Sequence, residues 1–193
     1  MGLDLTAGQV VTLVVDGVSG AGMVKVAVSR TDRPCNDDHG GVVDCSLPTC
    51  AAYCTGGEEP WPAEWASFEV QVLQYVNEAR AVGHNCDTEG NFGPAGPLTM
   101  HELLRGTARR MSKDMGERAF FDHVNPDGDD PFDRMGAAGY QGGAMGENIA
   151  AGQDTPRDVV DDWLDSDGHC RNIMDPDFHV IGVGYACLLY TSP

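Results

Sequence analysis

GENIAAGQDTPRDVVDDWLDSDGHCRNIM, the run from Gly146 to Met174, decides how the chain reads. It sets Glu147 among glycines, which suggests a sharply turned backbone. A helix start follows: Thr155 as N-cap and Pro156 at the first helical position. Val159, Val160, Trp163 and Leu164 then share one helical face. The run ends on Ser166, His169 and Cys170, where a short helical turn begins. Acidic, amphipathic helix and glycine-flanked polar residues alternate here, a pattern that points to packed helices with a polar site at their ends.

Working outward, the same grammar recurs. In DDPFDRMGAAGY, Asp130 reads as an N-cap, Pro131 as the first helical residue and Gly139 as the stop. Trp65, Phe68, Val72, Val76 and Ala79 recur at three- and four-residue steps, so a helix closing at Gly83 has one apolar face. TMHE, beginning at Thr99, reads as a capping box between Thr99 and Glu102. It would open a helix striped by Met100, Leu103, Thr107, Met111 and Met115. HVIGVGYACLL near the end reads as a buried strand. Upstream, QVVTLVV and MVKVAVSR read as two strands of a hairpin. Residues 1–30 are therefore expected to be the remnant of an upstream β domain, since a lone hairpin is marginal in water. Residues 31–62 form a Cys/Gly/Pro-rich linker without apolar periodicity, and residues 63–193 form the main domain.

Composition narrows the function classes. The chain has 193 residues and is 41% hydrophobic, enough to bury a core. Its formal charge of −18 argues against a nucleic-acid partner and against adhesion to anionic lipid. No stretch is apolar enough to span a bilayer, and no export signal is visible. An exported protein would carry that signal upstream. The seven cysteines suggest an oxidising, extracellular compartment. A zinc site in the cluster Cys35, Cys45, Cys50 and Cys54 is the alternative, although no CxxC spacing supports it.

Three apparent motifs dissolve on inspection. HELLR at His101 lacks the second histidine of a zinc-protease helix, because Arg105 stands there. NPDGDD at Asn125 has its glycine fourth rather than sixth, so it reads as a turn. Ser166 and His169 lie close in sequence, which says nothing of nucleophile–base geometry. What remains is dispersed: His123, Glu147, Asp165 and His169, each at a loop or helix end. Two imidazoles and two carboxylates meeting in one cleft could hold a divalent cation or move protons.

Several blocks occur in order: YVNEARAVG (75–83), FFDHVNPDGDDPFDRMGAAGY (120–140), GENIAAG (146–152), VVDDWLDSDGHCRNIMDPDF (159–178) and IGVGYA (181–186). Together they resemble the bacterial branch of the CAP superfamily, which includes cysteine-rich secretory proteins, venom antigens and plant pathogenesis-related proteins. The resemblance spans about Ala63 to Ala186. It implies an α+β fold, a three-layer α-β-α sandwich with a surface cleft lined by two histidines and two acids. By motif these are His123, Glu147 and His169, with Asp165 beside Ser166, where animal members carry a Glu. The resemblance also implies a further strand after GVG. Only CLLYTSP follows Ala186, so the domain reads as shortened, with an exposed sheet edge and an odd Cys187. Members with GHC tend to carry a cysteine after the first helix, which implies a Cys86–Cys170 disulfide. Joining these positions would close a loop worth roughly 4 kcal/mol of unfolded-state entropy. Cys187 is the competing partner.

These readings converge on a secreted or cell-surface, monomeric binding module. Its cleft would take zinc or another divalent cation, a small lipid-like molecule or an extracellular protein. A metal-assisted hydrolase built on His123, Glu147 and His169 is the alternative, with a purely structural module as the third reading. Enzymatic activity is the less favoured expectation.

Overall fold

A computed structural model describes the backbone of Gln9–Gly17 together with residues 61–142 and 144–187. Residues 18–60, which include the hairpin's second strand and the cysteine-rich linker up to its last two positions, and the tail after Cys187 lie outside the described residues.

The architecture is three-layered. A four-stranded sheet has the order β4 (Thr99–Met100), β6 (Val180–Cys187), β1 (Gln9–Gly17), β5 (Ala144–Ala151). β4 runs parallel to β6, and β1 runs antiparallel to both β6 and β5. A two-residue pair, β2 (His84–Asn85) with β3 (Asn91–Phe92), stands apart from it. The helices are α1 (Ala63–Val82), α2 (Glu102–Arg118), α3 (Pro131–Ala137), α4 (Pro156–Leu164) and α5 (Asp167–Met174).

Strand alternation in VIGVGYAC sorts the layers. Ile181, Val183 and Tyr185 point to one face, where they join Phe68, Val72 and Val76 of α1, Val159, Val160 and Trp163 of α4, and Ile173 and Met174 of α5 in one core. Phe68 stacks on Tyr185 with centroids 3.9 Å apart. Gly182 and Gly184 face the other way. A Cβ at Gly182 would lie 2.1 Å from the Leu104 backbone, and one at Gly184 would lie 2.1 Å from the Arg109 backbone. The two glycines therefore let α2 rest directly on the sheet, which is the physical content of the GVG pattern. Leu104, Ala108 and Met135 form a second small core on that side. The layers are also tied by Glu69 of α1. It is fully buried and receives Arg105 at 2.8 Å and Arg109 at 2.7 Å from α2.

The helix grammar holds in most places. Asp130 and Thr155 each form a reciprocal capping box, with Asp133 and Asp158, ahead of a proline. The stripe Leu103, Thr107, Met111 and Met115 is buried. Thr99 departs from expectation: it is not the cap of α2 but part of β4. The N–H groups of Thr99 and His101 donate to His179 and Ile181 carbonyls beside β6, so pairing with the sheet takes the residues that a cap would need, and α2 begins at Glu102.

The N-terminal strand also departs. It forms, but its partners are β5 and β6 of the downstream domain, with Val14 opposite both Glu147 and Gly182. β1 fills the place between β5 and β6, so the described sheet ends on β5 and on the short β4. β5 and β6 each present a row of backbone groups toward the gap between them, and one β-branched segment satisfies both rows.

Candidate functional site

Glu147 lies in β5 and is 9% exposed. Its two carboxylate oxygens have different partners. Oε1 meets Nδ1 of His123 at 2.9 Å, and Oε2 accepts from a terminal nitrogen of Arg134 at 2.7 Å. Arg134, in the helix that Asp130 and Pro131 open, is not singled out by any motif of the sequence. Its other terminal nitrogen donates to the backbone carbonyls of His123 at 2.8 Å and Asp129 at 2.9 Å. One guanidinium thus fastens α3, the loop before it and β5 together. The planar fork of arginine suits that task, since it presents several donors at fixed angles.

His123 sits in the loop between α2 and α3, and its side chain is 46% exposed. With Nδ1 directed at Glu147, Nε2 is the ring nitrogen left for a ligand. The hydrogen bond to Glu147 raises the His123 pKa above 6.5, against an opposing effect of partial burial. Phe121 and Val124, on either side of it in sequence, are exposed apolar residues at 38% and 46%.

His169 lies in the first turn of α5, next to the fully buried Cys170. Burial lowers its pKa below 6.5, and the charge of His123 lowers it further, so the two imidazoles share one electrostatic neighbourhood. The connection to β5 is also structural. Asn148 donates to the His169 carbonyl at 3.0 Å, and Asn172 donates to Asn148 at 2.9 Å. Gly146 belongs to this arrangement. A Cβ there would stand 3.0 Å from the Asn172 side chain. The glycine before Glu147 thus makes room for Asn172 within an extended strand, and does not mark the sharp turn expected from sequence.

Asp165 is exposed at the C-cap of α4. Among the described residues no side-chain hydrogen bond or ion pair joins it to His123, Glu147 or His169, and no group of three or more His, Cys, Asp or Glu side chains is arranged to hold a metal ion. Cys86 and Cys170 form a disulfide with Cα atoms 5.5 Å apart, while Cys187 is a free thiol. The bridge joins the segment after α1 to the helix that carries His169. Thr88 reinforces it, donating through its backbone N–H to Asp167 at 3.2 Å and through its hydroxyl to the same oxygen.

Comparison with known proteins bears on the whole of this region. The family model of the cysteine-rich secretory protein family, CAP, matches residues 73–188. The chain is 39% identical over 124 residues to the uncharacterized protein YkwD of Bacillus subtilis (strain 168), covering 64% of this chain and 44% of that protein. It is 32% identical over 135 residues to the uncharacterized membrane protein YlbC of the same organism, covering 70% of this chain and 36% of that protein. The chain thus spans less than half the length of these curated relatives. No solved structure matches it. With a family model covering more than half of the sequence, and the three layers and GVG strand in place, the chain belongs to the CAP, or cysteine-rich secretory protein, family.

Proposed function

We propose that this CAP domain is an extracellular binding module whose ligand carries an uncharged hydrogen-bonding head and an apolar body. One observation supports this above others: Glu147 holds His123 by Nδ1, which leaves Nε2 for a ligand on a loop that also carries the exposed Phe121 and Val124. The head would hydrogen-bond to the imidazole and the body would cover the two apolar side chains. The net charge of −18 favours an uncharged head over an anion. The Cys86–Cys170 disulfide supports an oxidising compartment. No helix among the described residues is long and apolar enough to cross a membrane.

A divalent cation fits this donor set poorly. Glu147 has both oxygens engaged, Asp165 stands at an exposed helix end, and two imidazoles remain. Direct ligation by Glu147 would also set the cation beside the Arg134 guanidinium, 2.7 Å from the same carboxylate, whose like charge opposes it. The binding reading and a zinc-dependent hydrolase separate by experiment. Titration with monolauroylglycerol below its aggregation limit is expected to shift the amide resonances of Phe121, His123 and Val124, and the response should vanish in His123→Ala. Saturable zinc binding lost in both His123→Ala and His169→Ala, with no response to the amphiphile, would overturn the proposal.

A further inference from the structure

β1 stands in the middle of the sheet. Val10–Gly17 lie opposite Ala144–Ala151 of β5, and Gln9–Asp16 lie opposite Val180–Cys187 of β6. Among the described residues β5 and β6 do not pair with each other, and β1 is what joins them. α2 packs across β1 as well as β6. Without β1 the sheet would be split beneath that helix, with a row of unpaired backbone groups on each side of the gap. The domain therefore needs a strand in this slot. The ladder depends on that strand's backbone and sequence, and not on which chain supplies it.

The connection is what leaves the supplier open. From β5 through α4 and α5 to β6, no link between elements exceeds five residues, so these elements must come from one chain. Gly17 and Ala63 are separated by 45 residues, 18–62. Such a segment can reach roughly 150 Å, whereas a domain of this size has a radius of gyration of roughly 14 Å. The slot of a neighbouring molecule lies within that reach. The sequence of β1 adds a drive to pair. Val10, Val11, Leu13, Val14 and Val15 make a β-branched, apolar run that is a hazard when left unpaired.

We infer that β1 is an exchangeable strand: two copies of this chain trade Gln9–Gly17 and form a two-fold dimer in which each gap between β5 and β6 is filled by the partner. Val14 is the register partner of Glu147. In the exchanged dimer the strand backing the Glu147 clamp thus comes from the other copy. The tether gives self-closure an effective concentration in the millimolar range at most. The closed monomer therefore holds at micromolar chain, and exchange competes as the chain approaches millimolar. The inference stands without the ligand reading above.

Refolding the full chain after denaturation without reductant tests this. At about 10 μM the product should be monomer, and at about 1 mM at least one-fifth should be dimer. The dimer should return to monomer on dilution no faster than the chain unfolds. Leu13 and Val183 are register partners across β1 and β6. Chains carrying Leu13→Cys, refolded at the higher concentration with chains carrying Val183→Cys, should form a 13–183 bridge between chains, found by peptide mapping. Moving the second cysteine two residues out of register, to Ile181→Cys, should abolish that bridge. Val14→Pro offers no backbone N–H to either ladder and should melt at least 10 °C below wild type. A lysine-flanked Gln9–Gly17 peptide at about 1 mM should restore half of that loss, and a scrambled peptide should not. Should Val14→Pro fail to fold, the 13–183 bridge decides alone, and its absence overturns the inference. Monomer at both concentrations, interchain bridges through Cys187 or the linker cysteines alone, no rescue by the peptide, or Val14→Pro melting with wild type would also overturn it.

Discussion

His169 and His123 share one neighbourhood on different kinds of support. His169 stands on α5, whose Cys170, Ile173 and Met174 are fully buried and whose start is covalently tied to Cys86. His123 stands on an irregular loop between exposed neighbours, fixed by Glu147 and by the carbonyl that Arg134 grips. Apolar packing and a covalent bridge hold one imidazole; a buried polar clamp holds the other. The difference teaches that the two should fail separately, and under different conditions.

The largest effect should come from the packed side. Trp163 of α4 is 1% exposed, and its indole donates to the Ile149 carbonyl at 3.2 Å. Trp163→Ala removes the largest fully buried side chain and leaves a cavity, so it should cost about 3–5 kcal/mol in denaturant unfolding. It should loosen α4 and α5 together. A loss below 1 kcal/mol would mean that this core is not what supports His169.

Next is the bridge. Replacing Cys86 and Cys170 together by alanine frees a loop with a sequence separation of 84, and should lower stability by roughly 4 kcal/mol, less any strain relieved. The comparison is sharpened by what should not change. The His123–Glu147 contact lies within this loop but is held by its own hydrogen bond and by Arg134 rather than by the bridge, so the upward displacement of the His123 pKa should survive while His169 resonances broaden.

The clamp is the third test. Arg134→Met removes the fork from the Glu147 carboxylate and from two carbonyls, and should cost about 1.5–3 kcal/mol for hydrogen bonds to a charged, buried group. The pKa consequence has a definite sign. The charge of Arg134 opposes protonation of His123, so its removal should push that pKa further up. A fall would mean that Glu147 had lost its position altogether.

The packed side was the legible one. Periodicity found α1 and α4, proline-after-cap grammar found α3 and α4, and resemblance found the cysteine pair. Local pattern carries such features because each is written within one element. The clamp is not written that way. Arg134 in DRMGAAGY has the look of an ordinary helical cation, and only the fold brings it to Glu147, 13 residues on. Gly146 was noticed for the wrong reason, since its neighbour Asn172 comes from another element. Thr99 met a local rule and lost to a long-range one, strand pairing with β6. The N-terminal strand was recognised by its β-branched run, but its partners could not be read, because a strand's pattern does not name its neighbours. Asp165 came from an adjacent-residue argument, and no contact with the cleft supports it.

The smallest effect in energy is the most direct in meaning. A pH titration of the two imidazoles by NMR asks whether Glu147 holds His123 as a charged partner while burial keeps His169 neutral. His123 should titrate above 6.5 and His169 below it. The linkage signs are opposite. The His123 contribution to stability is complete below its unfolded pKa and is lost as pH rises through the higher folded value. The His169 contribution is present above its unfolded pKa and is lost as pH falls through the lower folded value. Glu147→Gln should bring His123 back toward 6.5 and spare the burial effect on His169. A common pKa for both rings, the reverse order, or no response of His123 to Glu147→Gln would contradict the account.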